Sequence, residues 1–215
     1  MCIRDRLIVG SPLALQDALV NISFLIITTI INTMGLIPSA AVGVVEKIII
    51  FAMLPPTAFG SAVSVMTAQN VGAGKPERVK KILCYGIIYS LTFGIVATIY
   101  CQISPESLTS IFSNDPKVVE VAGKYLRSFS IDCVMVSFVF CINGYFSGNG
   151  QSIISLIHSM IATFGVRIPL TYLISKIADV TLYELGFAAP SSTFVSILIC
   201  FTYLCLKNRK SKVRL

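Results

Sequence analysis

The sequence predicts an all-α polytopic membrane protein built from six transmembrane helices. Three observations carry that prediction. Six apolar runs, over residues 7–34, 39–68, 82–103, 125–145, 153–175 and 182–206, fill nearly the whole 215-residue chain, and each reaches the ~20 helical residues that cross a hydrocarbon core of ~30 Å. The composition is 55% hydrophobic and only 13% charged, with a mean hydropathy of +0.83, which leaves too few polar side chains to cover a water-soluble domain of this length. The runs are also continuous, without the period-two alternation and short segments of a lipid-facing barrel.

The first run opens at Gly10-Ser11-Pro12 and closes at the tight turn Met34-Gly35-Leu36-Ile37-Pro38-Ser39. The second ends in Gln69-Asn70-Val71-Gly72-Ala73-Gly74-Lys75-Pro76-Glu77-Arg78, where glycines suit a helix C-terminus and Pro76 the first turn of the third helix. Residues 104–117, with two prolines, Asn114 and Asp115, form the longest connection, leading into the fourth run. The corner Phe146-Ser147-Gly148-Asn149-Gly150-Gln151 turns the chain into the fifth, and residues 176–181 into the sixth. No hydrophilic stretch is long enough for a separate soluble domain. One membrane domain over 7–206 is expected, with a basic tail at 207–215.

Threading the runs alternately sorts the charges. Arg4, Arg6, Lys75, Arg78, Lys80, Lys81, Lys207, Arg209, Lys210, Lys212 and Arg214 fall on one side, 11 of the 17 basic residues. Basic loops stay inside, so both termini are expected on the cytoplasmic face of the cell's inner (plasma) membrane. The other side carries Glu46, Glu106, Asp115, Glu120, Asp179 and Glu184 with Lys47, Lys117, Lys124 and Lys176, a near balance. The net charge of +7 therefore reports topology and contact with anionic membrane lipid rather than nucleic-acid binding.

Seven cysteines form no C-x-x-C pair, and most lie inside runs, as small packing residues do. The single histidine, His158, sits alone on the fifth run and reads as a hydrogen-bonded packing group. Gly74-Lys75 is followed by Pro76, not Ser or Thr, and no strand precedes it, so it is not a phosphate-binding loop. A membrane-embedded enzyme would need acids, His or Arg clustered at one interface, and no such cluster is present. No metal site or cofactor is indicated.

Polar groups inside the runs carry the remaining chemistry. At about 100° per residue, Asp17, Asn21, Thr28 and Asn32 fall within a ~60° arc of the first helix. Tyr125, Asp132 and Asn143 fall within a ~20° arc of the fourth, with Ser128 beside them. A carboxylate in the membrane costs several kcal/mol unless it is paired, protonated or holding a cation. Asp132 is therefore the leading functional candidate, and Asp17 the second; each also reads as an interhelical contact. Pro12, Pro55, Pro56 and Pro169 with Gly60, Gly86, Gly94, Gly144 and Gly165 suggest kinked helices lining a cavity, or close helix packing.

Several motifs resemble the multidrug and toxic compound extrusion (MATE) family. Gly10-Ser11-Pro12-Leu13-Ala14-Leu15-Gln16 looks like the start of that family's seventh helix, and Asn32 with Gly35 fits its end. The corner holding Gln69, Gly72, Ala73, Gly74 and Arg78 resembles the signature after the eighth helix. Gly144, Gly148 and Gly150 are similar to the glycines closing the tenth, Arg167-Ile168-Pro169-Leu170 to the run of the eleventh, and residues 186–192 to the entry of the twelfth. Five matches in order cover almost the whole chain.

The resemblance implies one lobe, the second, of a twelve-helix antiporter that exports small organic cations or amphipathic drugs against Na⁺ or H⁺, with the N-terminal lobe as missing partner. It implies a substrate or cation pathway through Asp132, Tyr125, Asn143, Asp17, Asn21, Asn32 and Gln16, and structural roles for Pro12, Gln69, Gly72, Gly74, Arg78, Arg167 and Pro169. Two acidic positions of the family fall on Val20 and Val136 here, with Asp17 and Asp132 a turn away. Residues 1–6 do not resemble the family's linker, and are expected to be a non-native junction on a gene fragment or a short basic leader; they are not a signal peptide. The nearest alternatives are a lipid-linked oligosaccharide flippase of the wider superfamily, which would use cavity arginines such as Arg127 and Arg167, and a non-transporting structural membrane protein.

Overall fold

A computed structural model describes residues 3–177 and 181–212, with side chains over 9–177 and 181–206. Asp179, residues 1–2 and the basic side chains of the two ends lie outside the described residues. The long elements are α1 (Ile3–Asn32), α2 (Leu36–Gly72), α3 (Pro76–Ile103) and α5 (Pro116–Gly148). The fifth crossing is α6 (Ser152–Ala162), a π-helical turn (Thr163–Arg167) and α7 (Ile168–Ser175); the sixth is α8 (Leu182–Leu185) and α9 (Ala188–Lys212). Six helical segments are long and apolar enough to span a bilayer, as expected.

The helices outrun the apolar stretches. Hydropathy marks only the hydrocarbon crossing, whereas a helix continues until its terminal groups are satisfied. Thus α3 begins at Pro76, six residues before its apolar run, and α5 begins at Pro116, where the Asp115 carboxylate accepts from the Lys117 N–H at 3.0 Å. The first turns of α5 carry the surface ion pair between Lys124 and Glu120. The long connection at 104–117 also contains a short helix, α4 (Pro105–Thr109), docked on α5. At the three tight corners Gly35, Gly74 and Gly150 adopt φ of 116°, 68° and 70°, a region open to glycine but costly for side chains.

Helix α5 is the axle of the bundle, packing against α2, α3, α4, α8, α9 and α6. Half of its most apolar stretch is buried inside the protein, against 17–33% for the other crossings. Glycines make the close approaches possible. A Cβ on Gly144 would run into the Gly60 carbonyl, one on Gly148 would lie 2.5 Å from the Ser64 oxygen, and one on Gly94 2.8 Å from the Cys133 oxygen. Of the glycines that suggested bending, Gly60, Gly86, Gly94 and Gly144 are packing contacts instead, because association in lipid rests on van der Waals fit between backbones.

The prolines behave unevenly. Pro12, Pro55 and Pro56 sit within continuous α-helix. The fifth crossing changes its winding through the π-helical turn just before Pro169. Pro169 has no N–H to give and its ring crowds the carbonyl four residues back, so wider winding over that stretch relieves the conflict.

Candidate functional site

Five elements, α1, α2, α5, α6 with its π-helical turn, and α9, enclose a half-open cavity of about 470 Å³. Its wall is mostly apolar, with Phe24, Met53, Phe129 and Phe140 among the lining groups, and the polar side chains are few. Asp132 reaches it from α5 at 4% exposure. Thr193 of α9 lines the same cavity with its hydroxyl donating to the Ala189 carbonyl at 3.2 Å, and the Asp132 Oδ1 has no partner. Asp17 faces the same cavity from α1 in a more open position, beside Gln16, whose Oε1 is buried and also unpartnered. Val20 and Val136 both line this cavity. The two aspartates therefore sit one turn from those positions on their helices while still reaching the same space.

A second cavity of about 240 Å³ adjoins the first and shares Phe24, Ile49, Ile50, Phe129 and Arg167 with it. Its polar groups are Asn21, Glu46, Tyr125 and Arg167. The Thr28 hydroxyl, bonded to the Phe24 carbonyl at 2.8 Å, also lies 3.3 Å from Glu46 Oε1. The Arg167 guanidinium stacks on the Phe24 ring at 4.4 Å from its centroid. Among the described residues it forms no ion pair. Three acidic side chains thus face the joined space with a single guanidinium.

The structure corrects several sequence expectations. Asn32 lines neither cavity: it is exposed at the end of α1 and accepts from the Ser39 hydroxyl across the turn. The polar stripe of α1 does not open onto one site, since at 1.5 Å per residue Asp17 and Asn32 are on the order of 22 Å apart along the axis. Asp17 meets the larger cavity, Asn21 the smaller, and Asn21 Nδ2 donates to the Asp17 carbonyl at 2.8 Å. Ser128 is buried away from both cavities, under Gly186, donating to the Tyr125 carbonyl at 3.0 Å. Arg127 is exposed and lines neither.

Glu46 was counted with an outside connection, but lies about 15 Å along α2, within the second crossing. Its signal was legible: a carboxylate inside a run of spanning length. Arg167, read as structural, is also the cation of the joined cavities. Thr193 and Ser196 of α9 were missed, because hydroxyls are common in membrane helices and their spacing alone is uninformative. Pro12 and Pro169 hold helix positions as described, and Gly72, Gly74 and Pro76 form the corner after α2, with Gln69 accepting from the Ala73 N–H at 3.0 Å. The Arg78 N–H there donates to the Lys75 carbonyl at 3.2 Å. His158 is a hydrogen-bonded packing residue as expected, with Nδ1 2.7 Å from Ser196 Oγ and Nε2 2.8 Å from Asn143 Oδ1. Among the described residues no three His, Cys, Asp or Glu side chains gather as metal ligands.

Six membrane-length helical segments, five of them bordering a largely apolar, half-open cavity, define a helical membrane protein. The chain belongs to the MatE family, whose model matches residues 12–173. It is 23% identical over 204 residues to "Probable multidrug resistance protein YoeA" of Bacillus subtilis, covering 95% of this chain and 44% of that protein. To "Probable multidrug resistance protein NorM" of Thermotoga maritima it is 22% identical over 173 residues, 80% of this chain and 37% of that one. Its fold matches a solved structure described as "Crystal structure of MATE in complex with MaL6" with a TM-score of 0.89 at 17% identity, covering 98% of this chain and 48% of that chain. The chain thus spans less than half the length of these relatives. The family is one of transporters, not enzymes.

Proposed function

We propose that this chain is the second lobe of a multidrug efflux antiporter in the inner membrane, exporting cationic or amphipathic compounds in exchange for Na⁺ or H⁺. The observation that carries the proposal is the Asp132 carboxylate, almost fully buried, with one oxygen unpartnered at the wall of a largely apolar cavity. A site of this composition suits a cation with an apolar body: the walls accept the body and the carboxylate compensates the charge. Proton or Na⁺ occupancy of the same carboxylate competes with the organic cation, which is the elementary requirement of exchange. Glu46 is a second such group, a helix away and beyond the Arg167–Phe24 stack. A flippase for an anionic lipid-linked sugar is not favoured, since one guanidinium faces three carboxylates.

The cavity is not fully enclosed by this chain, and a second six-helix lobe facing it would close the pathway. Reconstituted alone, the 215-residue chain is expected to give no Na⁺- or pH-driven efflux of a fluorescent organic cation from liposomes. Robust efflux would show that two copies suffice. A structural protein without transport would tolerate Asp17→Asn and Asp132→Asn with no change in cation binding.

The basic loops support a topology with both termini in the cytoplasm. Alkaline phosphatase fused after Leu215, which is active only outside the cytoplasm, is expected to be silent, and a green fluorescent fusion bright. The reverse pattern would invert the topology.

A further inference from the structure

We infer that His158, in its Nε2–H tautomer, fixes Asn143 so that the amide NH₂ faces the larger cavity, making this end of it a donor site for an acceptor oxygen of the bound compound. The inference rests on the ligand-binding reading of the cavity given above. His158 is 1% exposed and Ser196 4%, and the Phe146 ring flanks the imidazole at 6.5 Å between centroids. A neutral imidazole offers one donor and one acceptor. If the Ser196 hydroxyl donates to Nδ1 and Nε2–H donates to Asn143 Oδ1, every buried hydrogen has an acceptor. In the opposite arrangement Nδ1–H donates to Ser196 Oγ, and the buried serine hydrogen is left without an acceptor, a costly omission. Ser192 and Thr193 on the same helix donate to the Ala189 carbonyl, whereas Ser196 makes no such backbone bond, so its hydrogen is available to the ring.

With Nε2–H on Oδ1, the Asn143 amide is held in the orientation that leaves its NH₂ pointing away from the ring, and Asn143 lines the cavity. Asn143 then offers a donor and Asp132 an acceptor, separated by on the order of 16 Å along α5. An elongated compound with a cationic head and a distal carbonyl or ether oxygen matches both ends; one with a purely hydrocarbon tail matches only the Asp132 end.

Because His158 is the sole histidine, one pair of ¹⁵N resonances from histidine-labelled chain in lipid nanodiscs reports the tautomer. Protonated Nε2 with bare Nδ1 is expected; Nδ1–H or a doubly protonated ring overturns the assignment. Binding is compared for decyltriphenylphosphonium and its analogue with a terminal methoxy group. The wild-type chain is expected to prefer the methoxy compound by roughly two- to tenfold, the worth of one hydrogen bond. Asn143→Leu and His158→Phe are expected to bring the affinity ratio of the two probes to about one, whatever either does to the affinity for each probe alone, and His158→Gln, which restores a donor towards Oδ1, to keep the ratio. A preference unchanged in Asn143→Leu, or absent from the wild type, overturns the donor site. If neither probe binds the wild type, the ligand half falls together with the cavity reading, and the tautomer is decided by the resonances alone.

Discussion

Substituting Gly144 by alanine is expected to destabilise the bundle by about 2–3 kcal/mol, in the range of overpacking a tight core. The added methyl has no free volume to enter: the Gly60 carbonyl stands in its way, with the Gly60 carbonyl carbon at 3.1 Å and the Ser64 nitrogen at 3.2 Å. These are backbone atoms, so relief requires α2 and α5 to separate, and that is the most extensive helix pair in the protein. Gly43 is the internal control. A Cβ there meets nothing within 4 Å, and Gly43→Ala is expected to be neutral or to stabilise by up to ~1 kcal/mol, through the helix preference of alanine. Unfolding of the reconstituted chain by graded sodium dodecyl sulfate, followed by far-ultraviolet circular dichroism, separates the two. Equal midpoints for Gly144→Ala and wild type would mean that α2 and α5 do not approach as closely as described.

The same contact shows what was legible in the sequence. Runs of apolar residues fixed the number and order of crossings, because a bilayer sets the length a helix must have. Gly74 and Gly150 announced their corners, since a left-handed backbone needs glycine there. The role of Gly60 and Gly144 stayed ambiguous between hinge and contact, because only the position of the neighbouring helix decides it. Of the prolines within the described crossings that suggested a kink, Pro169, which follows the π-helical turn, is the one that coincides with a change of winding.

The candidate site was half legible. Asp132 and Asn143 share a cavity as their common helical face implied, and Asp17 and Gln16 line it as well, while Asn32 and Ser128 do not. Angular position on one helix ignores axial distance, which carried Asn32 out to the turn, and ignores the neighbour, which covered Ser128 with Gly186. Glu46 was hidden by assigning charge to the nearest loop. Arg167 was visible as a motif residue, but its stacking on Phe24 depends on α1 lying against the fifth crossing, which no local pattern states.

The largest functional effect is expected at Asp132. In Asp132→Asn the side chain keeps its shape and its neighbour Thr193, but loses charge and the capacity to exchange a proton. Binding of decyltriphenylphosphonium to the chain in nanodiscs is expected to weaken by at least about tenfold, equivalent to ~1.4 kcal/mol. The wild-type affinity is expected to fall as pH is lowered, because a proton added to the carboxylate removes the charge that the organic cation meets. In Asp132→Asn that pH dependence flattens. Asp17 and Glu46 face the joined cavities as well, and Arg167 opposes them, so a residual slope is assigned by adding Asp17→Asn or Glu46→Gln in turn. Asp17 is exposed and therefore better solvated than Asp132, so Asp17→Asn alone should weaken binding less. In a transporter that carries this chain as its second lobe, Asp132→Asn should lose cation-coupled export at normal expression. If affinity, its pH dependence and export all remain at wild-type levels, Asp132 is a packing contact with Thr193, and exchange rests on the carboxylates of other helices.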